Sequence, residues 1–265
     1  MSYELGICGA GNMAEAIVRG AVDAGVLAVG DVIVSDPSAE RRGVFEAMGI
    51  EAIEDNEPVI TGAQRVLLAV KPQVFAQLNE AMQTIEDRLV VSIMAGVSID
   101  TIRQATGGRG RVIRVMPNTP LLVGKGASGI APSAQASEQD VAFVRAMFGA
   151  AGLTEVVDEG LMDAVTAVSG SGPAYLFYLA EAMAEAGAKL GLPADQADRL
   201  ARQTVLGAST LLSTSEESAA ELRRRVTSPG GTTQAAIEHL DASAVRQHIQ
   251  DAIGKAEARG KELGG

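Results

Sequence analysis

The sequence predicts an α/β protein, a mostly parallel sheet covered by helices over residues 1–158, followed by an all-α domain over residues 159–265. Three observations carry this. Short β-branched runs alternate with helical patterns through the first half, the strand signal stops near Asp158, and the later segments space their apolar residues three and four apart.

Taken in order, Leu5–Cys8, Asp31–Ser35, Val66–Val70, Leu89–Met94 and Val112–Val115 are brief apolar runs bounded by turn residues, the pattern of strands buried on both faces. Between them Met13–Gly25, Ala39–Met48, Gln73–Ile85 and Ile99–Ala105 have helical spacing. In the second half Leu161–Val168, Ala174–Leu190, Ala194–Leu212, Ala219–Val226, Thr233–Leu240 and Ala244–Leu263 read as helices. Pro173 and Pro193 suit first-turn positions, where a missing N–H costs nothing, and Ser218 with Glu221 fits a capping box. The Ala, Leu, Met and Tyr lining of Ala174–Leu190 and Ala194–Leu212 suits close helix packing or a subunit interface.

Composition narrows the function. A net charge of −11 argues against nucleic acid or an anionic membrane as partner, because such surfaces need cations to displace their counterions. Arg223–Arg224–Arg225 is the local exception and reads either as a solvated helix face or as a phosphate contact. Cys8 is the single cysteine and His239 and His248 the only histidines, so neither a disulfide framework nor a metal centre is expected. The charge-poor stretch from Ala164 to Ala180 is broken by Ser169–Gly170–Ser171–Gly172–Pro173, and no signal peptide precedes the first strand. A soluble cytoplasmic protein is the expectation.

Gly9–Ala10–Gly11–Asn12–Met13–Ala14 follows an expected strand and opens an expected helix. In that context backbone N–H groups at the helix N-terminus hold a pyrophosphate, which makes the sheet Rossmann-type. Asp36, ending the second strand, is placed to grip a ribose 2′-hydroxyl and favours NAD; Ser35 with Arg41 and Arg42 is placed to take a 2′-phosphate, so both cofactors stay open. Val70–Lys71–Pro72 and Met116–Pro117–Asn118–Thr119–Pro120 follow strands at the edge where open α/β sheets bind ligands.

From Gly170 through Met183 there is neither lysine nor histidine, and Lys189 lies more than about four helical turns beyond Ser171. An alcohol dehydrogenase needs such a base close to the reacting carbon. Ser228–Pro229–Gly230–Gly231–Thr232–Thr233 instead offers hydroxyls and unpaired N–H donors at a helix N-terminus, suited to a small carboxylate. A carboxylated substrate reduced without a dedicated acid must already be activated, as a protonated imine is.

The fingerprint at Gly9–Ala14, Val70–Lys71–Pro72, Met116–Pro120, Ser169–Tyr175 and above all Val226–Thr233, in this order over nearly the whole chain, resemble the pyrroline-5-carboxylate reductase family. The resemblance implies hydride transfer from NADPH, with NADH as the alternative, to the C=N bond of 1-pyrroline-5-carboxylate, giving L-proline in the final step of proline biosynthesis. It implies that Gly9, Ala10, Gly11, Asn12 and Met13 line the pyrophosphate and that Ser35 and Asp36 lie near the adenosine ribose. Asn56, Val70, Lys71, Pro72, Ala95, Gly96, Pro117 and Asn118 would complete the cofactor cleft. Ser228, Gly230, Gly231, Thr232 and Thr233 would hold the substrate carboxylate, with Ser228 and Thr233 catalytic and the Thr233 hydroxyl on the ring nitrogen. Glu159 and Glu216 fall where the family carries acidic residues near substrate. Arg225 departs from the small or amide side chain of some relatives, and either attracts the carboxylate or faces water. A homodimer through the helical domain, assembled into a larger ring such as a decamer, is also implied. The competing readings are a reductase of another small carboxylated imine or keto acid, and a non-catalytic dinucleotide-binding protein.

Overall fold

The computed structural model describes residues 3–264. The chain forms two compact units, one from the chain up to Gly170 together with the segment from Ala256, the other Ser171–Lys255.

The first unit is built on β1 (Tyr3–Cys8), β2 (Val32–Ser35), β3 (Glu51–Ile53), β4 (Ala63–Leu68), β5 (Leu89–Ser92), β6 (Arg111–Met116), β7 (Gly126–Pro132) and β8 (Gly152–Val156). They lie in the order β3-β2-β1-β4-β5-β6-β7-β8. β1 to β6 run parallel, β7 turns back antiparallel to β6, and β8 is parallel to β7. The helices are α1 (Asn12–Asp23), α2 (Ala39–Glu46), α3 (Asn56–Gly62), α4 (Asn79–Met82), α5 (Ile99–Ala105), α6 (Glu138–Gly149) and α7 (Met162–Val165).

Why the strands read as unbroken apolar runs is visible in the core. Side chains alternate across a strand, so Leu67, Val91 and Ile113 join one layer with Ile17, Phe45 and Phe148, while Val66, Val90 and Val112 join the other with Met82, Ile85 and Ile102. With both faces covered, apolar residues dominate the strand interiors, and among the buried polar exceptions Ser35 and Ser92 sit at the C-terminal ends of β2 and β5.

Several expectations need correction. Asp31 belongs to a 3-10 turn, Val29–Asp31, and the fourth and fifth strands end at Leu68 and Ser92. Gln73–Ile85 is not one helix but a 3-10 segment, Pro72–Leu78, followed by the single turn α4. Its buried Phe75, Leu78, Met82 and Ile85 recur at intervals that either helix type satisfies. Leu161–Val168 becomes α7 running into a π-helical segment, Thr166–Gly170. β3, α3, β7, α6 and β8 were not anticipated. α6 nevertheless carries a complete capping box, with Ser137 Oγ accepting from Asp140 N and Asp140 accepting from Ser137 N.

The second unit comprises α8 (Gly172–Lys189), α9 (Ala194–Thr214), α10 (Ala219–Arg225), α11 (Thr232–Ala242) and the first part of α12 (Val245–Gly264). α8 stops at Gly191, whose φ of +102° suits glycine, and Gly187 leaves room for Ala197 where α8 meets α9. Pro173 lies in the first turn as expected, but Pro193 is the N-cap of α9, where its extended backbone turns its carbonyl onto the N–H groups of Gln196 and Ala197. Ser218 caps α10 through Glu221 N, yet the Glu221 carboxylate bonds Arg224 instead of returning to Ser218, so the capping box is half formed. Of the apolar side chains on α8, Phe177 and Tyr178 are 68% and 75% exposed, a surface larger than one chain covers.

Candidate active site

The strand order makes β1 and β4 neighbours whose connections leave in opposite directions, the crevice where open sheets hold ligands. Gly9 closes β1 with φ +101°, and a Cβ there would lie 2.7 Å from the Ala69 carbonyl oxygen and 2.9 Å from Val70 N. Glycine is therefore required by torsion and by space, and Val70 comes up against the fingerprint turn. Ala69 N donates to Cys8 O at 2.8 Å and fixes that approach.

Gly11 is the N-cap of α1, and a Cβ on it would meet nothing within 4 Å. The turn is open on the side where Asn12 and Met13 begin the helix. Such a helix start combines free N–H donors with the positive end of the helix dipole, and an open glycine lets a phosphate come close. The residues present fit a dinucleotide pyrophosphate.

The Ala10 peptide is held at both ends. Its N–H donates to Asp36 Oδ2 at 2.8 Å and its carbonyl accepts from Arg41 Nε at 2.6 Å. Asp36 Oδ1 accepts from Ser38 N at 2.9 Å, so both carboxylate oxygens are engaged by backbone. Arg41 reaches Glu15 on α1 at 2.9 Å, and Glu15 also pairs with Arg19. Burial works to raise the Glu15 carboxyl, but the hydrogen bonds from Arg41 and Arg19 outweigh it and hold it below the usual range. Arg42 donates to the carbonyls of Asp36 and Pro37 at 2.7 and 3.0 Å. Neither arginine is a solvated face. Ser35 donates to Asn56 Oδ1 at 2.7 Å, which joins the ends of β2 and the start of α3.

Lys71 and Pro72 start the 3-10 segment after β4, with Lys71 exposed. Ala95 is exposed and Gly96 has φ +75° just past β5. Pro117 and Asn118 follow β6, and the buried Asn118 amide is engaged at both ends, accepting from Ala127 N at 2.8 Å and donating to Ser169 O at 3.0 Å. All these positions share the C-terminal edge of β1 to β6. Glu159 also belongs to this unit: its Oε1 accepts from Ile99 N at 2.6 Å at the start of α5 and stands 3.6 Å from Arg114. Cys8 is buried beneath the edge, and burial pushes its thiol up to about 12, out of reach of nucleophilic chemistry.

In the second unit, Ser228–Pro229–Gly230–Gly231 forms a turn closed by Gly231 N donating to Ser228 O at 3.0 Å, with Gly230 at φ +71° after the proline. Gly231 then caps α11, which begins at Thr232. Among the described residues the N–H groups of Thr232 and Thr233 bond no acceptor in the chain. Gln234, unanticipated from sequence, accepts from Gly230 N at 2.6 Å and donates to Glu238 Oε1 at 2.7 Å, so it steadies the turn. Arg225 is tied to Glu217 and lies 3.8 Å from Glu221, its charge met within its own corner of the unit, while Glu216 is exposed.

Glu15 and Gln234 are the site neighbours that sequence reasoning missed. Glu15 had a signal, a carboxylate in the first turn of the fingerprint helix, while Gln234 had only its place four residues after Gly230. Among the described residues no three His, Cys, Asp or Glu side chains gather as a metal site, and no helix is long and apolar enough to cross a membrane.

A Rossmann-type unit with an open fingerprint turn, joined to a helical unit, defines a two-unit dinucleotide-dependent oxidoreductase. Residues 159–263 match the pyrroline-5-carboxylate reductase dimerisation family and residues 4–96 the family described as NADP oxidoreductase coenzyme F420-dependent. The chain belongs to the pyrroline-5-carboxylate reductase family. It is 39% identical over 264 residues to the pyrroline-5-carboxylate reductase of Pisum sativum, covering 99% of this chain and 96% of that protein. The Pseudomonas aeruginosa relative of the same name is 42% identical, with 96% and 94% covered. Among solved structures, a pyrroline-5-carboxylate reductase from Coxiella burnetii superposes with a TM-score of 0.91 at 34% identity over the full length of both chains. The Plasmodium falciparum pyrroline carboxylate reductase with NADP bound gives 0.85 at 26% identity, covering 99% and 98%.

Proposed function

We infer that this protein reduces 1-pyrroline-5-carboxylate to L-proline with NADPH, the last step of proline biosynthesis. The observation that carries the reading is full-length identity of about 40% to relatives bearing that activity in their names. NADPH supplies the hydride; the chain supplies everything else.

In this reading the start of α1, from Gly9 to Met13, holds the pyrophosphate. Ser35 and Asp36 stand near the adenosine ribose, and Asn56, Val70, Lys71, Pro72, Ala95, Gly96, Pro117 and Asn118 line the rest of the cleft. The hydroxyls of Ser228, Thr232 and Thr233 and the N–H groups of Thr232 and Thr233 hold the substrate carboxylate, with Gly230 and Gly231 shaping the turn that admits it and the positive end of α11 helping. The protonated imine N–H donates to the Thr233 hydroxyl, which orients the ring and accepts no proton permanently. Positive charge already on the ring nitrogen is what makes a stronger acid unnecessary, and the absence of any ionisable side chain from Val226 through Ile237 agrees with that. Glu159 and Glu216 serve substrate only indirectly in this scheme.

Residues 1–158 act as the dinucleotide-binding domain and 159–265 as the dimerisation and substrate domain. The exposed apolar surface of α8 and the match to the dimerisation family support a homodimer. Further assembly into a ring such as a decamer, and action in the cytoplasm, belong to the same proposal. The test is the initial rate of NADPH and NADH oxidation with 1-pyrroline-5-carboxylate, beside pyruvate and a pyrroline lacking the carboxylate. Turnover confined to the carboxylated imine is expected. No oxidation of either cofactor would overturn the reading.

A further inference from the structure

The Ala10 peptide is the centre of a connected set of bonds that binding a pyrophosphate does not by itself explain. Asp36, at the end of β2, takes its N–H at 2.8 Å; Arg41, on α2, donates to its carbonyl at 2.6 Å. Arg41 continues at 2.9 Å to Glu15 on α1, the helix the turn opens. Ala10 is fully buried, and the Arg41 and Glu15 side chains are 25% and 22% exposed. A carboxylate with both oxygens on backbone N–H groups has its strongest acceptor directions taken, and a guanidinium forked between a carbonyl and a carboxylate has two of its donors taken.

We propose that Asp36 and Arg41 are positioning residues that clamp the Ala10 peptide and hold the fingerprint turn in its cofactor-receiving shape, rather than readers of the ribose 2′ position. The proposal rests on the reading that Gly9–Met13 receive the pyrophosphate. Because the pyrophosphate is common to both nicotinamide cofactors, loosening the clamp lowers the fraction of turns competent to bind and weakens NADPH and NADH by the same factor. A ribose reader would behave otherwise. Removing it would weaken NADH selectively if it holds a diol, or NADPH selectively if it holds a 2′-phosphate.

The chemistry of the side chains names the variants. Asparagine has one acceptor oxygen, so Asp36→Asn serves Ala10 N or Ser38 N but not both. Arg41→Lys keeps the charge but replaces the fork with a point donor that does not span Ala10 O and Glu15 together. Gly11→Ala separates this proposal from the reading beneath it, since a Cβ there meets no protein atom within 4 Å and obstructs only what approaches from the open side.

The experiment is a fluorescence titration of the full-length protein and of each variant with NADPH and with NADH, together with KM, kcat and a thermal melt. Asp36→Asn and Arg41→Lys are expected to raise Kd about tenfold for both cofactors, the loss of one charge-assisted hydrogen bond expressed as an equilibrium factor. The effect should fall on cofactor KM more than on kcat, and the NADPH-to-NADH ratio should stay within about twofold of the parent's, well inside the tenfold scale of the effect. Gly11→Ala should weaken both cofactors and leave the melt unchanged. Selective loss of NADH in Asp36→Asn, or of NADPH in Arg41→Lys, would overturn the clamp. So would unchanged affinity in both variants when Gly11→Ala does weaken binding. If Gly11→Ala binds both cofactors as the parent does, the pyrophosphate placement itself fails, and the clamp with it.

Discussion

Gly9→Ala is the sharpest single perturbation of the nucleotide unit. The residue has φ +101°, and the added Cβ would lie 2.7 Å from Ala69 O, 2.8 Å from Ala69 C and 2.9 Å from Val70 N. Left-handed torsion for an L residue costs about 1–2 kcal/mol. Because the obstructing atoms are backbone, and Ala69 N is bonded to Cys8 O, relief requires moving a strand end, which adds about 1–3 kcal/mol as overpacking does. The reduced entropy of the unfolded chain returns about 0.4–1 kcal/mol. The net, about 1–4.5 kcal/mol, corresponds to a Tm lower by about 2–18 °C for a chain of this size. Differential scanning calorimetry reads this as a shift of the first transition, with Gly11→Ala run beside it as the glycine that has open space. A Gly9→Ala melt within about 2 °C of the parent, below the smallest shift this reasoning allows, would refute it.

Three further outcomes are expected. Thr233→Ala should lower kcat by about 10–100-fold, the loss of one hydrogen bond to a charged group, with NADPH affinity nearly unchanged and partial recovery in Thr233→Ser; loss of cofactor binding instead would show the residue to be misplaced. Cys8, with its thiol pushed up to about 12 by burial, should ignore a disulfide reagent at mildly alkaline pH in the native protein and react in guanidinium, so rapid native labelling would contradict the packing. Burial works to raise Asp140, but hydrogen bonds from Arg111 and Ser137 hold it below the usual aspartate range. A depressed carboxyl contributes stability that is complete above its unfolded value and disappears as pH falls through the folded one. Asp140→Asn should therefore cost about 2 kcal/mol near neutrality, with the gap to the parent closing below about pH 4. Urea melts at both pH values check this, and an unchanged gap would count against the ion pair.

Local pattern was enough wherever a residue's reason for being there is local. The five buried strands read directly because a doubly covered sheet demands continuous apolar runs, and Ser137 with Asp140 carries an equally local signal. β7 was not legible. Its sequence, Gly-Ala-Ser-Gly-Ile-Ala-Pro, has almost no β-branched signal because its glycines answer to distant neighbours: a Cβ on Gly129 would lie 2.6 Å from Val165 Cγ1, and one on Gly126 2.7 Å from Leu121 Cγ. The same holds at the candidate site. That Asp36 and Arg41 matter was readable from their position after β2, but which backbone atoms engage them depends on how α1, α2 and β2 meet, and no spacing rule encodes that. Thr232 and Thr233 were readable as a helix start, whereas the return of Gln234 to Gly230 appears only once the turn is built.

At the far end of the sheet, β8 pairs with β7 alone, so among the described residues one side of Gly152–Val156 presents main-chain donors and acceptors to solvent. Leu153 and Val156 are 61% and 46% exposed beside it. Such a margin recruits the margin of another molecule, and what restrains it is brevity and the exposed Glu155 next to its last residue. Colloidal behaviour in concentrated solution therefore hangs on a residue at the sheet's margin, and replacing Glu155 by valine would set a second exposed apolar side chain beside Leu153 on one face of the strand.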